Sequence, residues 1–197
     1  RPLLDSANEV ARCIGTLSDV TDQKKSEERL LHDSVHDNLT GLENRTLFTS
    51  RLSTLIEIAS KPEHNLRPTV FHIDIDGFKE INNEYGHSHA DNMLMSLARR
   101  LTRLLKEGDS QARLSGDQFA LLLLSETEPG EIAAVASKIR NTITAPIDFA
   151  GKDIALSTSI GLVSWTKEHT NASQMMRDAE LAKGEAKRRG GIRTVTF

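Results

Sequence analysis

Strand-like and helix-like hydrophobic patterns alternate along most of this sequence, and this alternation limits the folds open to it. The β-rich run TVFHIDI at residues 69–75 is followed by helical apolar spacing from Ala90 to Lys106. The segments after it predict a β-hairpin, two amphipathic helices and two strands: hairpin arms 111–114 and 119–124, helices 131–144 and 172–189, and strands 154–163 and 192–197. This order predicts an α/β fold in which helices pack on a central mixed sheet.

The first 36 residues predict a separate N-terminal arm. Residues 10–20 are typical of a strand, and Thr21 or Asp22 is a suitable N-cap for a helical connector that follows. The connector has only three apolar residues: Leu30, Leu31 and Val35. Because so few apolar residues do not stabilise an isolated helix, we expect the connector to pack on a partner chain, as a dimer stalk, or on the following domain.

Composition excludes several classes of partner. The 25 Lys and Arg residues against 28 Asp and Glu leave a formal charge of −3, which provides no basic field for nucleic acid. The longest apolar run, residues 119–124, is far shorter than the roughly 20 residues that cross a bilayer, so we expect no membrane contact.

A single cysteine, Cys13, excludes an internal disulfide and favours a reducing, cytoplasmic location. Because the sequence begins at Arg1 rather than Met, we expect a piece of a longer chain.

Polar and apolar side chains alternate at the end of the first long strand. His72, Asp74 and Asp76 therefore share one strand face, opposite three apolar residues. Carboxylate oxygens at a strand end suit Mg²⁺, and Gly77 allows a phosphate to approach the backbone closely. The residues alone are equally compatible with a solvated acidic strand end that leads into a turn.

A second acidic residue lies at the tip of the predicted hairpin. Gly116 supplies the backbone freedom of a tight turn, and Asp117 can project from the tip toward a carboxylate of a neighbouring strand. Taken alone, Ser-Gly-Asp-Gln is an ordinary turn. Between the two motifs lie side chains that suit the edge of a purine but are equally credible as caps or turn residues: Asn82, Asn83 and Asp91.

Three runs of residues resemble the diguanylate cyclase domain named for its Gly-Gly-Asp-Glu-Phe (GGDEF) hairpin. They are DNLTGLENR at 37–45, FHIDIDGFKEINNEYGHSHAD at 71–91 and RLSGDQF at 113–119. Their order and spacing agree with the family across most of the chain, which argues against chance similarity. The resemblance implies an adenylyl-cyclase-like palm, in which helices surround a central, mixed, five-stranded sheet.

The run at 14–30 resembles the last strand of a PAS sensor domain and the helical connector that joins such sensors to cyclases. The two resemblances divide the chain into three parts: a PAS-like strand at 1–21, a connector at 22–36 and a GGDEF-type domain at 37–197. Members of such families often precede an output domain of the EAL phosphodiesterase type, and we expect the same neighbour here.

The GGDEF resemblance also implies a reaction. Two domains face each other in a homodimer, and each holds one GTP across its hairpin. Each 3′-hydroxyl attacks the α-phosphate of the other GTP, which releases pyrophosphate and forms cyclic di-GMP. The expected partners are therefore GTP, cyclic di-GMP and a second copy of the chain.

The same resemblance assigns roles to individual residues. Asp74, Asp117 and the carbonyl of Ile75 would hold Mg²⁺ or Mn²⁺, and Asp117, Gln118 and Lys79 would act at the reacting groups. The other matches would bind GTP, at the guanine or around the triphosphate and the hairpin: Asn82, Asp91, Gly77, Phe78, Lys187 and Gly116.

Several positions depart from the family pattern. The hairpin has Ser115 and Gln118 where the family has glycine and glutamate, and an amide cannot accept a proton or add negative charge. Loss of such a group commonly lowers the rate by about 10² to 10⁴. The product-inhibition motif Arg-x-x-Asp is replaced by Lys106 to Asp109, which removes a bidentate guanidinium, so we expect weak feedback. Gly191 stands where an arginine often contacts phosphate.

Three functions remain open from the sequence. The retained residues favour a degenerate domain that binds GTP with Mg²⁺ and regulates a neighbouring domain. The alternatives are an active diguanylate cyclase of low rate and a dimerisation spacer that binds no nucleotide.

Overall fold

The computed structural model describes residues 2–4, 10–13, 18–124, 128–149 and 152–197, and the chain divides into two compact units. The first unit, residues 1–34, contains an antiparallel pair of strands, β1 (Pro2–Leu4) and β2 (Val10–Cys13). It also contains most of helix α1 (Thr21–Val35).

The predicted N-terminal elements are confirmed in part. Helix α1 begins at Thr21, whose backbone N–H donates to Asp19 Oδ1 at 2.9 Å. The strand predicted over residues 10–20 is shorter, because β2 ends at Cys13 and residues 18–20 form no strand. Residues 14–17 lie outside the described part of the chain.

The second unit, residues 35–197, is built on a five-stranded sheet. Its elements follow one another along the chain as α2 (Arg45–Ala59), β3 (Thr69–Asp76), α3 (Phe78–Tyr85), α4 (His87–Thr102), β4 (Ser110–Ser115), β5 (Gln118–Leu123), α5 (Pro129–Thr144), β6 (Ile147–Phe149), β7 (Lys152–Ile154), β8 (Ser157–Ser164), α6 (Ala172–Arg188) and β9 (Thr194–Thr196). The strand order is β4-β5-β3-β8-β9, and only the β8–β9 pair of this sheet is parallel. The predicted α/β fold with a mixed five-stranded sheet is confirmed.

Several boundaries differ from the sequence-based prediction. Helix α2 was not predicted, although Asn44 caps it by accepting a hydrogen bond from the Leu47 backbone N–H. Helix α4 begins and ends earlier than the predicted 90–106, and Gly86, with φ of 81°, separates it from α3. Residues 152–154 pair with β6 in a small second sheet, so the strand predicted from Ile154 begins only at Ser157.

Strand β3 lies at the centre of the sheet and is covered on both faces. Phe71, Ile73 and Ile75 belong to one apolar core, with residues of α3, α4 and α5. Val70 belongs to a second core, with residues of α2 and α6. Because side chains alternate along a strand, His72 and Asp74 also face the α2 and α6 layer. Among the described residues, no helix is long and apolar enough to cross a membrane.

Helix α6 packs on β8 so closely that only glycine fits between them. A Cβ added at Gly161 would overlap the carbonyl oxygen of Ala179 and the backbone nitrogen of Lys183. Both atoms belong to the helix backbone, so neither can rotate away. The position of α6, and of every side chain that it directs at the sheet, therefore depends on Gly161.

We predict that Gly161→Ala lowers the free energy of unfolding by at least about 2 kcal/mol, because α6 must shift away from the sheet. The matched control is Gly184→Ala within α6, where the new Cβ meets only the end of the Arg188 side chain at 3.7 Å. Because alanine has a higher helix propensity than glycine, this control should raise the free energy of unfolding by up to about 1 kcal/mol. Urea unfolding measures both changes, and equal stability of the two variants would contradict the packing argument.

Candidate nucleotide site

The register of the sheet brings the two acidic motifs together. Asp74 of β3 lies directly opposite Gln118 of β5, so the tip of the β4–β5 hairpin lies beside the end of β3. The backbone N–H of Ile75 donates to the carbonyl oxygen of Asp117 at 3.3 Å. Residues more than 40 positions apart in the sequence are thereby held next to one another.

Asp74 is a buried carboxylate held by cations. Its residue is only 3% exposed. Lys187 Nζ lies 2.5 Å from its Oδ1, Lys183 Nζ lies 3.5 Å from its Oδ2, and the Gln118 amide nitrogen donates to Oδ2 at 3.3 Å. At Asp74 the strand end is therefore buried rather than solvated, whereas Asp76 is partly exposed. Burial alone would lower the pKa of Lys187, but the Asp74 carboxylate holds it above its usual value.

Asp117 is half-buried at the hairpin tip, on the same site. Burial raises the pKa of its carboxyl, the negative charge of Asp74 raises it further, and Lys187 and Lys183 oppose the increase. A divalent cation would relieve the repulsion between the two carboxylates, and their oxygens are ligands that Mg²⁺ prefers. The described residues contain no cluster of three or more His, Cys, Asp and Glu for a metal. The two carboxylates fit an ion that takes its other ligands from phosphate or water, as Mg²⁺ usually does.

Asp76 has a different role from its neighbour. Its Oδ1 accepts a hydrogen bond from Ser159 Oγ at 2.8 Å, and its Oδ2 accepts one from the Ile192 backbone N–H at 3.3 Å. A Cβ at Gly191, which has φ of 68°, would lie 3.1 Å from the same oxygen. Asp76 thus anchors the turn after α6, and glycine at 191 is needed for that contact.

Two cavities flank the turn between β3 and α3. One, of about 340 Å³, is lined by Asp76, Gly77, Ser157, Lys187, Gly190, Gly191 and Ile192. The other, of about 330 Å³, is lined by Phe78, Lys79, Asn82, His87, Asp91, Leu94, Arg113, Gly116 and Asp117. The glycine-rich, lysine-containing cavity suits phosphate, and the cavity with an amide and a carboxylate suits a base edge.

The structure brings most of the predicted site residues into this region. The second cavity gathers six of them: Phe78, Lys79, Asn82, Asp91, Gly116 and Asp117. Gly77 and Lys187 line the first cavity, and Asp74 contacts Lys187 from the strand. Sequence reasoning gave no role to Lys183, which lies in the buried stripe of α6. The available signal was the position of this lysine among alanines and methionines on one helical face, which indicates a buried and paired charge.

The motif at residues 37–45 supports the hairpin tip. Arg113 Nη1 lies 3.1 Å from Asp37 Oδ1, and Arg113 Nε donates to the carbonyl oxygen of Gly116 at 2.8 Å. Burial would raise the pKa of Asp37, but hydrogen bonds from Thr40 and the Arg113 guanidinium lower it overall. The pair therefore fixes the turn that presents Asp117.

Gln118 has its amide oriented by a buried histidine. His72, 1% exposed, has its Nε2 at 3.3 Å from Gln118 Oε1. Burial, followed by the nearby Lys183 charge, lowers the pKa of His72 from 6.5 to about 4. The neutral ring donates from Nε2 to Gln118 Oε1, which leaves the amide N–H groups to donate to Asp74. Residue 118 is thus a hydrogen-bond donor to Asp74.

The two residues predicted for degenerate product inhibition take part in a local turn. Asp109 Oδ2 accepts a hydrogen bond from the Lys106 backbone N–H, and Asp109 Oδ1 accepts one from the Leu124 backbone N–H, each at 2.9 Å. Both carboxylate oxygens of Asp109 therefore bind backbone. Neither residue lines the two cavities described above.

Comparison with known proteins agrees with this architecture. The fold is that of a cyclase-like α/β domain. The family model "Diguanylate cyclase, GGDEF domain" matches residues 34–193, and the chain therefore belongs to the GGDEF diguanylate cyclase domain family.

Individual relatives lead to the same family. The chain is 37% identical over 160 residues to the diguanylate cyclase TpbB of Pseudomonas aeruginosa, covering 81% of this chain and 36% of TpbB. It is 33% identical over 170 residues to the bifunctional diguanylate cyclase/cyclic di-GMP phosphodiesterase MucR of the same species, covering 86% of this chain and 24% of MucR. The chain thus spans just over a third of TpbB and about a quarter of MucR.

Solved structures of the family match most of the chain. The GGDEF domain of TpbB superimposes with a TM-score of 0.76 at 34% identity, covering 82% of this chain and 93% of that domain. A structure of the coiled coil and GGDEF domain of DgcB from Caulobacter crescentus, in complex with c-di-GMP, has a TM-score of 0.80 at 23% identity. It covers 91% of this chain and 94% of that chain, and it supports the fold alone.

The low pKa of His72 predicts a pH-dependent stability. The pKa of His72 is lower in the folded protein than in the unfolded chain. The neutral ring therefore makes its full contribution to the free energy of unfolding above pH 6.5, and this contribution is lost as the pH falls toward 4. Without divalent ions, the stability advantage of the parent over His72→Leu should shrink by about 2 to 3 kcal/mol between pH 7 and 4.5. Urea unfolding at both pH values measures it, with the exposed His64→Leu as control. Parallel pH profiles for parent and His72→Leu would contradict the prediction.

Proposed function

We propose that this chain is a degenerate diguanylate-cyclase-type domain of cyclic di-GMP signalling, which binds GTP with a divalent cation and regulates a neighbouring domain. The main support for the proposal is the position of three charged residues, Asp74, Asp117 and Lys187. They lie together between two cavities, one of which suits phosphate and the other a base edge. A chain that served only as a dimerisation spacer would have no need of this arrangement. The retained site therefore counts against the spacer.

Different residues of the site would bind the metal ion, the phosphates and the guanine. Asp74, Asp117 and the Ile75 carbonyl would hold Mg²⁺ or Mn²⁺, which supplies positive charge to the triphosphate oxygens. Lys187, 45% exposed at its side chain, is free to extend from Asp74 toward a phosphate, and the Gly77 turn leaves room for one. Asn82 and Asp91 offer an amide and a carboxylate to the guanine edge, and Lys79 adds charge beside Phe78 and Gly116.

Gln118 is the reason to propose regulation rather than efficient catalysis. Its amide nitrogen donates to Asp74 and its oxygen faces His72, so both ends of the amide are engaged inside the protein. An amide in this position accepts no proton from an attacking hydroxyl. GTP would then bind and remain largely unconverted, which is suited to a sensor of GTP.

A slow but active diguanylate cyclase is the second candidate. It is favoured by the retained carboxylates of Asp74 and Asp117, and by similarity to TpbB, which is named as a diguanylate cyclase. A homodimer would supply the second GTP in that case. Measuring cyclic di-GMP formation separates the two candidates.

The neighbouring domain is proposed from relatives. MucR is named as a bifunctional diguanylate cyclase/cyclic di-GMP phosphodiesterase, and it is more than four times as long as the segment that matches it here. By analogy with this bifunctional relative, we propose an EAL-type phosphodiesterase after the domain. The resemblance of residues 14–30 to the end of a PAS domain supports a PAS-type sensor before it. We also propose a cytoplasmic location for the domain itself.

We predict that the parent chain binds GTP in the presence of Mg²⁺ with a micromolar dissociation constant, which corresponds to a binding free energy of about 8 kcal/mol. Asp74→Asn should weaken binding at least tenfold, because it removes a charged metal ligand while leaving an oxygen to accept from Lys183. Asp153→Asn, exposed on β7, is the matched control and should bind as the parent does. Titration calorimetry measures all three proteins. Absence of both heat and a thermal shift for the parent would refute GTP binding.

We also predict that the parent forms cyclic di-GMP near background, whereas Ser115→Gly with Gln118→Glu raises output by roughly 10² or more. The double change restores a carboxylate at the hairpin, where the His72 N–H faces it. Ser115→Gly alone is the control for the turn and should stay near background. Product is measured by chromatography after incubation with GTP and Mg²⁺. Strong activity of the parent would establish the active cyclase instead.

A further inference from the structure

Helix α6 buries a lysine in a stripe of small and sulfur-containing side chains. The other members of the stripe are Ala172, Met175, Met176, Ala179, Ala182 and Ala186. Lys183 is 6% exposed, and a lysine is almost never buried to this extent unless its charge is paired. The ammonium group therefore needs a partner of opposite charge within the fold.

That partner is Asp74, which Lys183 shares with Lys187. The two lysines are four residues apart and so lie on one face of α6, and each ammonium approaches a different oxygen of the same carboxylate. Their exposure differs, because the side chain of Lys187 is 45% exposed and that of Lys183 only 7%. A nucleotide can therefore draw Lys187 away from Asp74, while Lys183 stays behind the carboxylate.

Two lysines offset the charges of Asp74 and Asp117 without any metal. Asp74 and Asp117 contribute two negative charges, Lys183 and Lys187 contribute two positive charges, and Gln118 contributes none. Asp76 is a third carboxylate nearby, and its charge also acts on Lys187, but its two oxygens already accept hydrogen bonds from Ser159 and Ile192. A second divalent ion at Asp74 would face the fixed Lys183 ammonium, and residue 118 supplies an amide rather than a carboxylate to offset the repulsion.

We propose that Lys183 is a built-in cation that takes the place of one divalent ion beside Asp74, so that this chain binds a nucleoside triphosphate with a single divalent ion. The inference rests on the proposed function, because it concerns the same site. It also accounts for an amide at residue 118, since a site with one metal needs fewer carboxylates. Lys183 is accordingly a positioning and charge-balancing residue of the binding site.

Manganese binding tests the proposal directly. Free Mn²⁺ is measured by electron paramagnetic resonance, first without nucleotide and then with saturating GTP analogue in which a methylene group joins the α and β phosphorus atoms. The parent should bind one Mn²⁺ per bound analogue. Lys183→Met, which matches the methionines of the stripe, should bind two, and its Mn²⁺ affinity without nucleotide should rise about tenfold or more.

Two further variants make the test specific. Lys183→Gln also removes the charge but keeps a polar donor for Asp74, so it should reproduce both changes even where the methionine variant folds poorly. Lys138→Met, on an exposed position of α5, should behave as the parent does. Circular dichroism verifies folding of each variant.

The outcomes separate the two proposals. Two Mn²⁺ ions per analogue in the parent, or a parent-like Mn²⁺ affinity in the folded Lys183 variants, would overturn the role of Lys183. Failure of the parent to bind any nucleotide would refute the proposed function instead. In that case the titration without nucleotide still decides the inference, because it requires only the carboxylates and Lys183.

Discussion

The buried carboxylate of Asp74 is the group on which the rest of the second unit depends. A charge this deeply buried is stable only with close partners of opposite charge and with donors for its remaining lone pairs. Lys183 and Lys187 come from α6, and the Gln118 amide comes from β5. The contacts that Asp74 requires thus connect the central strand to helix α6 and to the hairpin.

This coupling explains features that look unrelated along the chain. Gly161 allows α6 to lie close enough for Lys183 to reach Asp74, and Arg113 with Asp37 fixes the hairpin that carries Gln118. Each contact determines where a residue of the candidate site lies. Because buried polar networks stabilise as a unit, a change at one member alters the charge balance of the others.

The position of the family's hairpin glutamate is best understood within this network. A second acid there would place one more negative charge opposite Asp74 in a buried strand pair, whereas the amide of Gln118 adds a donor. His72 fixes the orientation of that amide through its Nε2. The amide of Gln118 therefore fits its surroundings, because it donates a hydrogen bond to the buried carboxylate of Asp74.

The sequence by itself determined the α/β class and the hairpin, because hydrophobic periodicity and short motifs are local properties. Its motifs also predicted most of the residues that line the candidate site. It did not determine helix α2, the break at Gly86 or the start of β8, since these depend on which apolar faces find a partner in the core. Nor did it reveal that Lys183 meets Asp74, 109 positions away. Only the packing of α6 on the sheet decides that contact, because a lysine on a helix has no intrinsic preference for burial.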